Sequence, residues 1–153
     1  MNTIMYRQAT IEELDFLVEL RIKELSLFSD APLSKEAIIK THQFYQEKMQ
    51  AKECFTFLGY DQDILVTTGT VYFYDCLPSN DNHFGKVGYI TNIWTKEEYR
   101  GRGLAGQILD QLIEVSKDKC GLLSLNSAIK AVKVYKRKGF IQNNKNMVCT
   151  WNK

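Results

Sequence analysis

The sequence predicts a mixed α/β fold in the order β-α-α-β-β-β-α-β-α-β-β, with residues 1–153 forming one domain. Three observations predict it. The chain has 153 residues, a length that suits one domain with one core. Apolar residues recur at period 2 in some segments and near period 3.6 in others, and the two kinds interleave. No internal repeat or low-complexity linker divides the chain.

Residues 3–9 read as a strand, with Ile4 and Tyr6 on one face and Met5 and Arg7 on the other. Thr10 and Glu13 have the spacing of a capping box. A helix follows to about residue 28, with Leu14, Leu17, Val18, Ile22 and Leu25 on one stripe. Ser29-Asp30-Ala31-Pro32 ends it. Ser34 caps a second helix to about residue 52, carrying Ile38, Ile39, Phe44 and Tyr45. Strands at 54–60 and 64–75 flank Asp61-Gln62-Asp63, a hairpin turn. Residues 77–85 form a loop, 86–95 a strand, and 103–119 a helix striped by Leu104, Ile108, Leu112 and Val115. A short strand at 121–125 and a helix at 128–138, closed by Gly139, come next. Strands at 140–142 and 147–151 then pair about an Asn143-Asn144 turn.

Composition excludes several classes of function. No apolar run approaches the roughly 20 residues that cross a membrane. Residues 1–10 lack a signal-peptide core, so the cytoplasm is the expected location. Cys54, Cys76, Cys120 and Cys149 form no C-x-x-C pair, and His42 and His83 have no Cys beside them. No metal site is expected, and the thiols are expected to be reduced and partly buried. No G-x-S-x-G hydrolase motif occurs. A net charge of +2 gives no case for nucleic acid. Its distribution says more. Residues 1–86 hold 8 Lys and Arg against 13 Asp and Glu, and residues 87–153 hold 12 against 5. An acidic and a basic half suggest two ligands of opposite sign, or two separately solvated surfaces.

The informative stretch runs from Tyr99 to Gly106, between a strong strand and a strong helix. Glycine there permits close backbone approach, and the first helical amides lack internal acceptors, so the turn is suited to a pyrophosphate. Arg100 and Arg102 add countercharge; the alternative is an ordinary turn with both arginines in solvent. The Walker pattern is absent. Gly101, Gly103 and Gly106 match the dinucleotide fingerprint G-x-G-x-x-G, but Asn126-Ser127 stands after the next strand where that fingerprint wants an acid.

Arg100-x-x-Gly103-x-Ala105 instead resembles the [QR]-x-x-G-x-[GA] signature of the GNAT superfamily of acyl-CoA-dependent N-acetyltransferases. Residues 89–95 resemble that family's strand before the cradle. Residues 131–140 (Ala131, Val134, Tyr135, Gly139, Phe140) resemble its A-x-x-L-Y-x-x-x-G-F segment. The resemblance implies a central, mixed, mostly antiparallel twisted sheet of six to seven strands flanked by about four helices. It implies acetyl-CoA as co-substrate, with no metal. The backbone of Ile93, Trp94 and Thr95 would pair with the pantetheine, while amides of Gly101, Arg102, Gly103, Leu104 and Ala105 hold the pyrophosphate.

Tyr135 aligns with the family's general acid, which protonates the departing CoA thiolate; a tyrosine packed on closing strands is the alternative. Ala128 departs from the family's usual Asn, leaving Asn126 as a cofactor contact or a helix cap. The strand at 86–95 offers no acid or histidine as base. Tyr89 and Thr91, on one face, relay a proton or line the pocket, and Glu24 on the first helix is a candidate substrate contact or a solvated carboxylate. Lys130 or Lys133 would meet the cofactor's 3′-phosphate. The expected partners are acetyl-CoA and an amine. The acceptor is expected to be cationic because Glu19, Glu24, Asp30, Asp75 and Asp81 fall in the acidic half. A homodimer is compatible with this reading; nucleic acid and membrane are not expected. A non-catalytic acyl-CoA sensor on the same fold is the rival.

Overall fold

The protein, described here from a computed structural model, is defined over residues 3–143 and 145–151. Its regular elements are β1 (Met5–Gln8), α1 (Leu14–Ser26), α2 (Lys35–Gln50), β2 (Cys54–Asp61), β3 (Ile64–Asp75), β4 (Lys86–Thr95), α3 (Leu104–Ser116), β5 (Leu122–Leu125) and α4 (Val132–Arg137). Short 3₁₀ turns at Ile11–Glu13, Glu97–Tyr99 and Ile129–Ala131 lead into α1, the Gly-rich turn and α4.

Local chemistry sets the boundaries. The Glu13 carboxylate accepts from the Thr10 N–H at 2.9 Å and takes both Arg7 guanidinium nitrogens at 2.7 Å. That pairing holds the Glu13 carboxyl down at about 2. Ser34 Oγ accepts from the Ala37 N–H at 3.1 Å and starts α2. Gly139 at φ +99° ends the last helix.

The five strands lie in the order β1-β2-β3-β4-β5. All neighbours are antiparallel except β4 and β5, which are parallel and joined through α3. Helices cover both faces. On one, Val71, Phe73 and Ile90 pack with Ile108, Leu109 and Leu112 of α3 and with Tyr135 of α4. On the other, Leu17 and Val18 of α1 and Tyr45 of α2 pack on Cys54 and Leu58. Among the described residues, no helix is long and apolar enough to cross a membrane.

The predicted order holds from the first strand to the last helix; the two closing strands do not form. Residues 140–143 and 145–151 carry no strand, and Ile141, Met147, Val148 and Trp151 are exposed. Asn144, half of the predicted turn, lies outside the described residues. Alternating residues favour a strand only when a partner takes their hydrogen bonds. The predicted helix at 128–138 is one 3₁₀ turn and a six-residue α4. Cys149 is exposed, although the thiols were expected to be partly buried.

Gly69 lets α3 sit on the sheet. A Cβ there would lie 2.3 Å from Ile108 Cγ2 and 2.7 Å from Ile93 Cδ1. Gly69→Ala should therefore overpack the core and lower unfolding free energy by about 1–3 kcal/mol in urea titrations. Unchanged stability would show that α3 moves away freely.

Candidate active site

The site begins with an irregularity in β4. Up to the pair Thr70↔Thr91 the register with β3 is regular, and it resumes at Thr68↔Trp94. Asn92 and Ile93 thus oppose the single residue Gly69, and Asn92 sits at φ +56°. The extra residue changes which way the backbone faces. Before the bulge, the even-numbered backbone groups face β5, as the Gly121 N–H to Lys86 carbonyl bond of 3.0 Å shows. After it, Lys96 donates to Val66 at 2.8 Å, so Trp94 and Lys96 face β3 and the groups of Ile93 and Thr95 face the other way. On that side β5 pairs only as far as Ile90↔Leu125. The β4 edge beyond the bulge is therefore open.

The Gly-rich turn lies at the end of this edge. Gly101 and Gly103 have φ +77° and +79°, and a Cβ on either would meet nothing within 4 Å. Gly103 caps α3, whose first turn carries no acidic side chain. The N–H groups of Leu104, Ala105 and Gly106 fall where an α-helix has no acceptors of its own. Together these groups place backbone donors at an unobstructed turn, an arrangement that favours an anion. Arg100 Nε donates to the Thr95 carbonyl at 3.2 Å, tying the turn to the open edge. Arg102 instead folds back, donating to the Glu98 carbonyl at 3.2 Å with its guanidinium 4.8 Å from the Tyr99 ring centre. Lys138, assigned from sequence to the end of its own helix, reaches α3's first turn beside Gly106 and pairs with Asp110 at 2.8 Å. Lys130 and Lys133 are exposed.

Tyr135 is buried in the α3-side core, edge-on to Phe140 with ring centres 5.9 Å apart. Burial raises its pKa above the ordinary phenol value, so it is protonated at neutral pH. Tyr135, Asn126 and Tyr89 line one cavity of about 1120 Å³ along β5 and α4. Asn126 is exposed; of the two roles left open for it, the helix cap falls to Ala128, which makes no side-chain cap.

A smaller cavity of about 350 Å³ lies between α1, α2 and the sheet. Tyr89 and Thr91 line it, sharing a face as their spacing requires. Behind it is a polar network. Arg21 donates to Asn92 Oδ1 at 2.5 Å, and Asn92 Nδ2 donates to Tyr45 Oη at 3.1 Å. Thr68 Oγ1 lies 3.1 Å from both the Asn92 carbonyl and Glu24 Oε1. Glu24 is only 8% exposed, and its Oε2 has no partner among the described residues. Burial, partly offset by Thr68 and Arg21, pushes its pKa up to about 7. None of Glu19, Glu24, Asp30, Asp75 and Asp81 lines this cavity, and Asp75 pairs with Lys86 at 2.8 Å.

A model of the acetyltransferase (GNAT) family matches residues 16–140. The chain belongs to this family. No curated protein matches the chain. Solved structures share the fold. A protein described as a predicted acetyltransferase from Clostridium acetobutylicum, solved with acetyl-CoA, is 23% identical over 97% of this chain and 96% of its own, with a TM-score of 0.85. A Trypanosoma brucei acetyltransferase is 21% identical over 97% and 100%, at 0.68. Glucosamine-6-phosphate N-acetyltransferase from Arabidopsis thaliana is 16% identical over 98% and 99%, at 0.71.

The GNAT motif residues thus fall in three places: the α3 N-terminus, the open β4 edge, and the cavity wall at Tyr135. Sequence reasoning missed Arg21, Tyr45, Asn92 and Lys138. Only the Asn92–Ile93 bulge brings the first three together, and no local pattern announces it.

Glu24 generates a prediction about pH. Its folded pKa is about 7 against an ordinary 4.5. Between those values the folded state binds the extra proton, so stability falls as pH rises from about 4.5 to 7. This group should remove about 3 kcal/mol over that window. Urea unfolding at pH 5 and pH 8 should show the loss in the native protein and its absence in Glu24→Gln. An identical pH dependence in both would show that Glu24 stays ionised.

Proposed function

We propose that this GNAT protein transfers an acetyl group from acetyl-CoA to a primary amine by direct attack in a ternary complex. The observation that carries this reading is the open β4 edge ending at a cradle of free amides. A pantetheine amide chain can add to that edge as a strand does, pairing with Ile93 and Thr95, while the diphosphate rests on the α3 N-terminus with Arg100 and Lys138 nearby. The amine nitrogen attacks the thioester carbonyl, and the C–S bond breaks as the C–N bond forms. The CoA thiolate takes the Tyr135 hydroxyl proton, the amine's surplus proton leaves to solvent, and a proton from solvent restores the Tyr135 hydroxyl. Alignment of the two reactants supplies most of the rate.

Thiol release from acetyl-CoA in the presence of an amine panel tests the activity. Release that depends on an amine supports it. Tight acetyl-CoA binding without release would favour the non-catalytic sensor, which Ala128 and the lack of an acid or histidine on β4 otherwise favour.

Tyr135→Phe removes one oxygen and keeps the ring. It should lower kcat by roughly 10²–10⁴-fold while acetyl-CoA affinity holds. Equal turnover would leave Tyr135 a packing residue.

Gly103→Asp tests the cradle. Aspartate tolerates the left-handed backbone better than most residues, and the space it enters is empty of protein atoms. The added carboxylate should repel the diphosphate and weaken acetyl-CoA by at least about tenfold, or about 1.4 kcal/mol, in calorimetry of a folded protein. Unchanged affinity would place the diphosphate elsewhere.

A further inference from the structure

We infer that the acceptor is an amine that carries its own anionic group, a carboxylate or a phosphate, and that Arg21 receives it. This rests on the acetyl-transfer reading above and specifies its substrate. The cavity between α1, α2 and β4 holds about 350 Å³, enough for one small molecule. It opens onto Thr91 and Asn92, at the bulge where the open β4 edge begins. Its lining includes two cations, Arg21 and Lys40, and no acidic side chain.

Arg21 is the informative one. It is half-buried, and none of the ion pairs among the described residues includes it. Its guanidinium donates from one nitrogen, Nη1, to Asn92 Oδ1 at 2.5 Å and to Thr91 Oγ1 at 3.5 Å. A guanidinium has five N–H donors in a planar fork, so most of them remain for a ligand. A partly desolvated cation gains most from an anion that replaces its lost water. Glu24, the buried carboxyl nearby, supplies little countercharge: its raised pKa leaves it about half protonated at neutral pH. Lys40 stands at the cavity's exposed rim, partly held by Glu36 at 3.3 Å. It extends the positive field outward.

The walls narrow the class further. Phe44, Tyr45, Tyr72 and Tyr89 bring four aromatic rings to the cavity. Phe44 and Tyr72 meet edge to face at 4.9 Å, and Tyr72 lies 5.5 Å from Tyr89. Such walls suit an acceptor that carries an apolar or planar body beside its amine and anion. The acceptor this describes resembles an aromatic amino acid more than a polyamine, the reverse of what the acidic half of the sequence suggested.

The test uses matched pairs that differ only in the anion: phenylalanine against phenylalaninamide, and phosphoethanolamine against ethanolamine. The first pair reads a carboxylate and the second a phosphate. Thiol release is followed for the native protein, Arg21→Gln and Arg21→Lys. The anionic member of at least one pair should have a kcat/KM at least about tenfold higher, the scale of a charged hydrogen bond. Arg21→Gln should abolish that preference through KM, and Arg21→Lys should retain part of it. Thiol release without preference for the anion, or a preference that survives Arg21→Gln, would overturn the assignment and leave the transfer reaction standing. If no amine releases thiol, the transfer reading falls instead. The same pairs titrated calorimetrically into the CoA-loaded protein then decide the point: tighter anion binding lost in Arg21→Gln supports it, and equal binding overturns it.

Discussion

One extra residue in β4 organises the molecule. Asn92 and Ile93 face the single Gly69, and the parity of the strand changes there. Without the bulge, Ile93 would turn its side chain away from α3 and its amide toward β3. With it, Ile93 stays in the α3 core, and its backbone, with that of Thr95, faces the side that β5 has left. Gly69 is what allows this, because no side chain fits between the bulge and Ile108. The same bulge aims Asn92 at Arg21 and Tyr45. One backbone irregularity thus sets both the open edge and the polar floor of the small cavity.

The two faces of the sheet then divide the chemistry. The α3 side offers donors without acceptors, at a helix N-terminus with Arg100 and Lys138 beside it. The α1/α2 side offers aromatic walls, the Arg21 guanidinium, which forms no ion pair among the described residues, and a carboxyl whose pKa burial raises to about 7. A polyanion suits the first and a small amine the second, and β4 is the wall they share.

Much of this was legible because it is local. The α3 stripe, the β2–β3 hairpin and the Gly101–Gly103 turn each state their structure within a few residues, and β3 and β4 begin and end where the hairpin turn, the 77–85 loop and their β-branched and aromatic content put them. Arg100 to Ala105 could be read as an anion cradle because helix amides need no tertiary context. The bulge could not be read, since Asn92 is an ordinary strand residue until Gly69 stands opposite. Arg21 drew no notice in the sequence for the same reason: its partners Thr91 and Asn92 lie about seventy residues away. The charge split does not map onto faces of the fold: α1, in the acidic half, brings Arg21 to the small cavity, while Asp75 pairs with Lys86. The closing strands did not form: the largely apolar run 147–151 has no partner strand to take its hydrogen bonds.

The central claim is that the β4 edge beyond the bulge is where acyl-CoA binds. Residue-resolved amide hydrogen exchange, with and without acetyl-CoA, tests it most directly. The account predicts that the Ile93 and Thr95 amides exchange readily in the free protein and become protected when acetyl-CoA is added. Trp94, turned toward β3, should be protected in both states. Protection that leaves Ile93 and Thr95 unchanged while acetyl-CoA is bound would contradict it.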